Sequence, residues 1–261
     1  MKDLESLCVE VRQIARDAGA FLREERKRFD RSRVEEKSAH NYVSYVDKES
    51  ERRIIEQLRE LLPEAGVIAE EGSGSQTNER YCWIIDPLDG TTNYIHDLAP
   101  YCVSIALRDR EEVVLGVVYE VGRDECFSAV RGGTAYRDGE EIRVSNVQSL
   151  SQACIALGFP YNADAYRPTA FKLVDRLYGF AGGTRLMGSA AAELCYVAAG
   201  RFDARIEAYL GPWDVAAGAF ILQQAGGTVT DFRGGTDWTS GREVAASNGK
   251  LHAVVLNELI P

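Results

Sequence analysis

Four acidic residues of this 261-residue chain stand where the local sequence would aim them at a common point: Glu70, Asp86, Asp89 and Asp214. Asp86 ends an apolar β-type run, Trp83-Ile84-Ile85, and Asp89 follows it across Pro87-Leu88. Pro87 fixes the turn and Gly90 permits a bend beyond it. Gly90-Thr91-Thr92-Asn93 then opens a helix or tight turn, whose backbone N–H groups would converge on one spot and can cradle an anion such as phosphate. Carboxylates for a cation thus lie beside donors for a phosphoryl group. Glu70 and Glu71 close another strand candidate, Val67-Ile68-Ala69, and enter a loop rich in Gly and Ser. Asp214 falls at the start of a helix after Gly211-Pro212-Trp213. Each also has an ordinary reading by itself. Asp214 is a good helix cap, Glu70-Glu71 a solvated loop pair, and Asp-x-x-Asp a commonplace of loops.

Taken together, the four suit a hard divalent ion, which wants oxygen ligands and, for magnesium, binds a few carboxylates along with substrate phosphate. Carboxylates crowded into one cleft are costly unless a cation lies between them. In two-metal phosphatases the ions lie about 3.5–4 Å apart, so one carboxylate must bridge them. The histidines His40, His96 and His252 have no zinc-site spacing, which favours magnesium or manganese. Charge neutralisation and alignment are what a phosphoryl-transfer transition state chiefly needs.

The elements that must position these groups can be read from periodicity. Residues 4–22 carry an apolar helical stripe, and a second amphipathic helix follows Asp47 and stops at Pro63. Strands are expected at Val103–Leu107, Val113–Val121, Glu125–Val130 and Glu141–Val144, with a hairpin at Arg108-Asp109-Arg110. Beyond about residue 146 strands and helices alternate: strands at Cys154–Leu157, Ala204–Ala208, Thr228–Thr230 and Ala253–Leu256. Helices are expected at Thr169–Tyr178, from Gly188-Ser189 through Ala199, and at Trp213–Ala225. The chain reads as one α/β (α+β) unit over 1–261, with an N-terminal α+β half (about 1–146) and a C-terminal α/β half (about 147–261).

Composition narrows the function classes. Hydrophobic residues make up 45% and charged residues 27% of the chain, as in ordinary globular proteins. No apolar run reaches the roughly 20 residues that span a bilayer. The N-terminus has acidic residues where a signal peptide needs basic ones, so the expected location is cytoplasmic, without a membrane partner. The net charge of −10 argues against a nucleic-acid partner held by phosphate neutralisation. The run Arg23–Arg33, interleaved with acids, is expected as a solvated helical face. The six scattered cysteines read as small buried hydrophobes.

The segment Trp83-Ile84-Ile85-Asp86-Pro87-Leu88-Asp89-Gly90-Thr91-Thr92-Asn93-Tyr94 resembles the first signature of the inositol monophosphatase family, W-x-[IV]-D-P-[IL]-D-G-T-x-N. Trp213-Asp214-Val215-Ala216-Ala217-Gly218, with Gly226-Gly227 beyond, resembles the second, W-D-x-A-[AG]-G…A-G-G. The similarity runs along most of the chain. It implies a layered α/β/α/β/α sandwich of the sugar-phosphatase type, usually homodimeric, that hydrolyses phosphomonoesters with two or three magnesium ions (manganese a possible substitute) and is inhibited by lithium. Asp86 would bridge two metals, Glu70 and the Leu88 carbonyl would complete one site, and Asp89 and Asp214 the other. Thr91, with Glu70, would orient and help deprotonate the attacking water, and Asp47 would polarise Thr91. Asp89 and the Gly90 and Thr91 amides would meet the phosphate end of the substrate. Gly188-Ser189-Ala190 resembles the family's G-[ST]-A turn on the substrate side, and Glu207 falls where the family keeps a glutamate for a sugar or cyclitol hydroxyl. Ser189 also reads as a plain N-cap, and Glu207 as a surface strand residue.

Departures from the pattern cluster between Lys37 and Asp47, one residue shorter than in animal relatives, with Asn41 for a frequent Asp and Ser44 for a frequent Thr. They leave a third metal position and the role of Lys37 open. Thr92-Asn93 fits inositol monophosphatases better than nucleotide bisphosphatases, so the expected substrate is a small phosphorylated polyol or sugar, inositol monophosphate first. Fructose-1,6-bisphosphate and bisphosphate nucleotides are the enzymatic alternatives, with Arg167, Lys172 and Arg185 as candidates for a second phosphate. A regulatory binding protein on the same fold is the alternative from another class.

Overall fold

The structure, a computed structural model, describes residues 3–38, 41–74, 79–160, 163–240 and 243–260. His40 and the side chains of Lys37 and Asn41 lie outside what is described, and with them the third metal position.

The chain opens on α1 (Leu4–Arg26), started by Asp3, whose carboxylate accepts from the Ser6 amide at 2.9 Å. An antiparallel hairpin of β1 (Val34–Ser38) and β2 (Asn41–Ser44), which apolar periodicity does not reveal, leads into α2 (Tyr45–Leu61). β3 (Gly66–Ala69) and β4 (Tyr81–Asp89) follow, then a short α3 (Thr91–His96). β5 (Cys102–Asp109), β6 (Glu112–Glu120), β7 (Glu125–Val130), β8 (Ala135–Arg137) and β9 (Glu140–Ile142) then meander. The seven strands from β3 to β9 form one sheet in chain order, with β3 parallel to β4 and every other pair antiparallel. Arg110, at φ 57°, makes the β5–β6 turn expected at that position. β4, β5 and β6 are buried on both faces, which is why they read as near-continuous apolar runs.

The rest alternates: β10 (Cys154–Leu157), α4 (Ala163–Leu177), β11 (Gly183–Arg185), α5 (Ala190–Ala198), β12 (Ala204–Ala208), α6 (Pro212–Gln224), β13 (Thr228–Thr230) and β14 (Glu243–Ser247). These strands form a second sheet in the order β11-β10-β12-β14-β13. The chain closes on α7 (His252–Val254), which continues as a π-helical turn, Val255–Leu259.

Three apolar cores define the layers. One lies between α1, α2 and the first sheet. The second fills the space between the two sheets around α5 and α6. The third lies between the second sheet, α4 and the C-terminal helix. Helices, sheet, helices, sheet, helices is thus the α/β/α/β/α order. Gly116 on β6 lets α6 approach, since a Cβ there would stand 2.9 Å from the Ala217 carbonyl oxygen.

Some local readings need correction. Ala253–Leu256, expected as a strand, is helical. Leu251, Val255 and Leu259 are buried at i, i+4 and i+8, a period that a four-residue apolar run hides. β14 is the inner strand in its place, pairing β12 and β13. α4 starts at Ala163 and contains Pro168, whereas a helix from Thr169 was expected. β9 covers Glu140–Ile142 and stops short of Val144. The Arg23–Arg33 run is not a simple solvated face: α1 ends at Arg26, Glu25 is buried, and Arg23 donates to the Tyr119 hydroxyl at 2.6 Å. All six cysteines are free thiols, five of them buried.

A buried histidine makes the second sheet acid-sensitive. Thr230 Oγ1 donates to the Asp231 carbonyl at 2.8 Å and therefore accepts from His252 Nε2 at 2.9 Å. Nδ1 is then the acceptor, and Ser247 Oγ donates to it at 2.9 Å. This arrangement uses the neutral ring, and burial holds His252 below the ordinary 6.5. The unfolded chain takes up that proton first, so this contribution to stability is full above pH 6.5 and is lost as pH falls through the folded-state value. His252→Gln should flatten the dependence of the urea midpoint on pH between 7.5 and 5, and an unchanged slope would remove His252 as its source.

Candidate active site

An Asp-x-x-Asp pair on a regular strand would send its carboxylates to opposite faces of the sheet. β4 avoids this with a bulge: Asp86 pairs with Ser104 and Asp89 with Cys102, so three steps on β4 match two on β5. Both carboxylates therefore face α5 and α6. The Leu88 amide donates to Asp86 Oδ1 at 3.0 Å and closes the turn. Asp214 arrives from the first turn of α6 and caps it, accepting from the Gly211 amide at 2.6 Å. Capping the helix does not draw Asp214 away from Asp86 and Asp89.

Carboxylate oxygens of Asp86, Asp89 and Asp214 lie within 4.8 Å of one another. Burial first, and then repulsion from Glu70, Asp89 and Asp214, pushes Asp86 well above the ordinary aspartate value. Asp214 is raised by burial, then by Asp89 and Glu70. Asp89 is raised by burial too, against hydrogen bonds that favour its anion. An all-oxygen set of mutually repelling acids fits a hard divalent cation. Glu70, half-buried just after β3, is not one of the three whose oxygens converge, but its charge acts on Asp86 and Asp214.

Asp89 is held by the start of α5. Ser189 Oγ donates to Oδ2 at 2.7 Å, the Ala191 amide to the same oxygen at 2.7 Å, and the Ala190 amide to Oδ1 at 3.2 Å. The donors of Ser189 and Ala190, expected on the substrate side, are engaged here by Asp89. Ser189 occupies the N-cap position without a side-chain capping bond. Gly188, at φ 80°, precedes it and stacks against Asn93.

α2 supports the other side. Asp47 is fully buried in its first turn and accepts from Ser44 Oγ at 2.6 Å and from Thr91 Oγ1 at 2.9 Å. Burial raises Asp47 despite these bonds. Thr91 Oγ1 also lies 3.1 Å from the Leu88 carbonyl oxygen. One turn on, Ser50 Oγ donates to the Pro87 carbonyl at 3.1 Å, and buried Glu51 accepts from the amides of Glu71 at 2.7 Å and Ser73 at 3.0 Å. Asp47, Ser50 and Glu51 continue the stripe of Ile54, Ile55 and Leu58 at helical spacing. Polar residues on the buried stripe of a helix were the signal for Ser50 and Glu51, which motif reading missed. Glu51→Ala should strand two amides, loosen the loop that carries Glu70, and raise the divalent-cation concentration for half-maximal stabilisation by about 10- to 100-fold. A shift under about twofold in a melting titration would leave Glu51 no such role.

Glu207 on β12 is not a surface residue. It pairs with the buried guanidinium of Arg205 and lies close enough to Asp89 for the charges to repel. Arg205 and its second partner, Glu193 on α5, were also missed in the sequence. Arg167, Lys172 and Arg185 are all exposed.

The inositol monophosphatase family model matches residues 3–260. The Nus factor SuhB of Pasteurella multocida is 38% identical over 248 residues, covering 95% of this chain and 93% of the relative. The inositol monophosphatase of Anabaena superposes with a TM-score of 0.89 at 32% identity, covering 100% of this chain and 98% of the other. The IMPase of Thermotoga maritima superposes with a TM-score of 0.88 at 34% identity, covering 98% and 96%.

Proposed function

We propose, from the premise that this chain belongs to the inositol monophosphatase family, that it hydrolyses a small phosphorylated polyol or sugar, inositol monophosphate foremost. The observation that carries this reading is the convergence of the Asp86, Asp89 and Asp214 carboxylates within 4.8 Å, beside a threonine hydroxyl held by a buried aspartate. Glu70, Asp86, the Leu88 carbonyl, Asp89 and Asp214 would hold divalent cations, magnesium by preference. When bound, these ions supply charge neutralisation on phosphate and a more acidic water.

The chain's own residues do the rest. Thr91 donates its proton to Asp47, which leaves its oxygen lone pairs to accept from the attacking water and aim it at phosphorus. Glu70 takes the water's proton as general base. The Gly90 and Thr91 amides hold the phosphate oxygens, and Glu207 accepts from a substrate hydroxyl. The water oxygen bonds to phosphorus as the ester P–O bond breaks in line, the leaving alkoxide takes a proton from solvent water, and orthophosphate and an alcohol leave. Ser189 and the α5 amides orient Asp89 and favour its anion against the opposing effect of burial.

The test is phosphate release from inositol 1-phosphate, fructose-1,6-bisphosphate and adenosine bisphosphate, with magnesium and with EDTA. Magnesium-dependent release, fastest on inositol 1-phosphate, supports the reading. No release from any of the three sinks it. A second reading is favoured by the SuhB relative's name, Nus factor: a binding role on the phosphatase fold, alone or beside the chemistry. The net charge of −10 bears on direct contact with nucleic-acid phosphates and not on a protein partner. An Asp89→Asn chain that still performs the cellular task would favour that second reading.

A further inference from the structure

The two ends of the proposed substrate site are joined through one buried cation. Arg205, fully buried on β12, donates from Nε to Glu193 Oε2 at 2.9 Å and from Nη2 to Glu207 Oε2. Arg205 and Glu193 side chains are each 1% exposed, whereas Glu207 keeps 13%. The triad therefore opens to the outside only at Glu207. Gly158, next to it, makes the room this carboxylate occupies, since a Cβ at this position would lie 1.9 Å from Glu207 Cδ.

From its other end the triad reaches the phosphate side. Glu193 Oε1 accepts from the Met187 amide at 2.8 Å and the Gly188 amide at 3.2 Å. Asn93 Nδ2 donates to the Met187 carbonyl at 2.7 Å and to the Pro100 carbonyl at 2.8 Å. Gly90 packs on the same turn, with the position of its absent Cβ 3.2 Å from the Gly188 carbonyl oxygen. A continuous set of hydrogen bonds and contacts thus runs from Glu207 through Arg205 and Glu193 to the Gly90 turn.

A buried ion triad contributes little net stability, because desolvation offsets the Coulombic attraction. Its evident effect is on geometry. A guanidinium offers donors in a fixed planar fork, so the carboxylates on it are fixed in distance and direction. Arg205 Nη1, also buried, has no hydrogen-bond partner among the described residues. The fork is therefore not a fully satisfied structural knot.

We propose that Arg205 is a specificity-determining positioning residue, which fixes the distance between the phosphate-holding turn and the Glu207 carboxylate and so selects phosphomonoesters bearing a hydroxyl at that span. This rests on the hydrolytic reading above. The selected class is phosphorylated polyols and cyclitols, as against aryl phosphates with no hydroxyl.

The test compares kcat/KM for inositol 1-phosphate and p-nitrophenyl phosphate at saturating magnesium, in wild type, Arg205→Lys, Glu207→Gln and the double variant. Lysine keeps the charge but loses the fork. Arg205→Lys should raise KM for inositol 1-phosphate about tenfold, with kcat for it and KM for the aryl ester each changed less than about twofold. In the Glu207→Gln background the same change should add less than about twofold, since Arg205 acts through Glu207. Should Arg205→Lys fail to fold, Glu193→Gln, which releases the other arm of the fork, must shift the same ratio in the same direction. Equal losses on both substrates, or full additivity with Glu207→Gln, would overturn the proposal while leaving the hydrolytic reading intact. A wild type that hydrolyses neither ester with magnesium overturns both.

Discussion

Asp86→Asn should reduce magnesium-dependent phosphate release by about a thousandfold or more, judged against the hundred- to thousandfold that loss of one neutral hydrogen-bond donor costs at an oxyanion site. The reasoning begins with position. Asp86 is buried, lies at the bulge, and faces Glu70, Asp89 and Asp214 at once. On the proposed reading Asp86 would contribute to holding both ions, so replacement by a neutral amide would weaken both sites together. The amide keeps an oxygen for the Leu88 N–H bond, so the fold should survive. Steady-state kinetics with a magnesium titration is the measurement. Activity restored by high magnesium would mean that Asp86 sets affinity only, and activity near wild type at ordinary magnesium would remove the cluster from the mechanism.

Divalent cation should raise the melting temperature of the wild-type protein by about 5–10 °C at a concentration near a hundred times Kd, given about 2.7 kcal/mol from binding and 2–4 °C per kcal/mol for a chain of this size. Electrostatics fix how this varies with pH. Asp86, Asp89 and Asp214 are raised above the ordinary aspartate value of 3.8 in the folded protein. The native state therefore binds protons more tightly than the unfolded chain. In EDTA, the cluster's contribution to stability should fall as pH rises from about 4 towards neutrality, since protons leave the native cluster at a cost the unfolded chain does not bear. Cation removes that repulsion, so its stabilising effect should grow over the same interval. Calorimetry at pH 5 and pH 7.5, with magnesium and with EDTA, tests the sign. Asp86→Asn should match or exceed wild type in EDTA and lose most of the gain in magnesium. A gain that shrinks with rising pH would contradict the electrostatic account.

The residues proposed to carry chemistry were more legible than the scaffold that aims them. Asp86, Asp89 and Asp214 stand out because proline, glycine and tryptophan punctuate their surroundings. Nothing in Asp-x-x-Asp says that a bulge turns both carboxylates to one face, because register is a property of the strand pair. Asp214 looked like a cap or a ligand, and a carboxylate with two oxygens can be both. Ser189 was seen, but the partner of its hydroxyl, Asp89, is distant in sequence. Glu51 and Glu193 are charges on otherwise buried helical faces, and Arg205 alternates with apolar residues on a buried strand, visible anomalies that pattern reading discounts because they name no chemistry. The helix at Ala253–Leu256 was lost because four apolar residues carry no period. β14 was lost because Glu243-Val244-Ala245-Ala246-Ser247 is rich in alanine and poor in the β-branched residues that mark strands.

α6 lies between the two sheets and brings Asp214 from the C-terminal half to meet Asp86 and Asp89 from the N-terminal half. A cation on these three would act as a rivet through the middle layer, closing a long chain loop that the unfolded protein leaves open. Separation of α6 from β4 would then require the ion to lose a ligand. Amide exchange in α6 and in β4 should slow together when cation is added, as one cooperative unit.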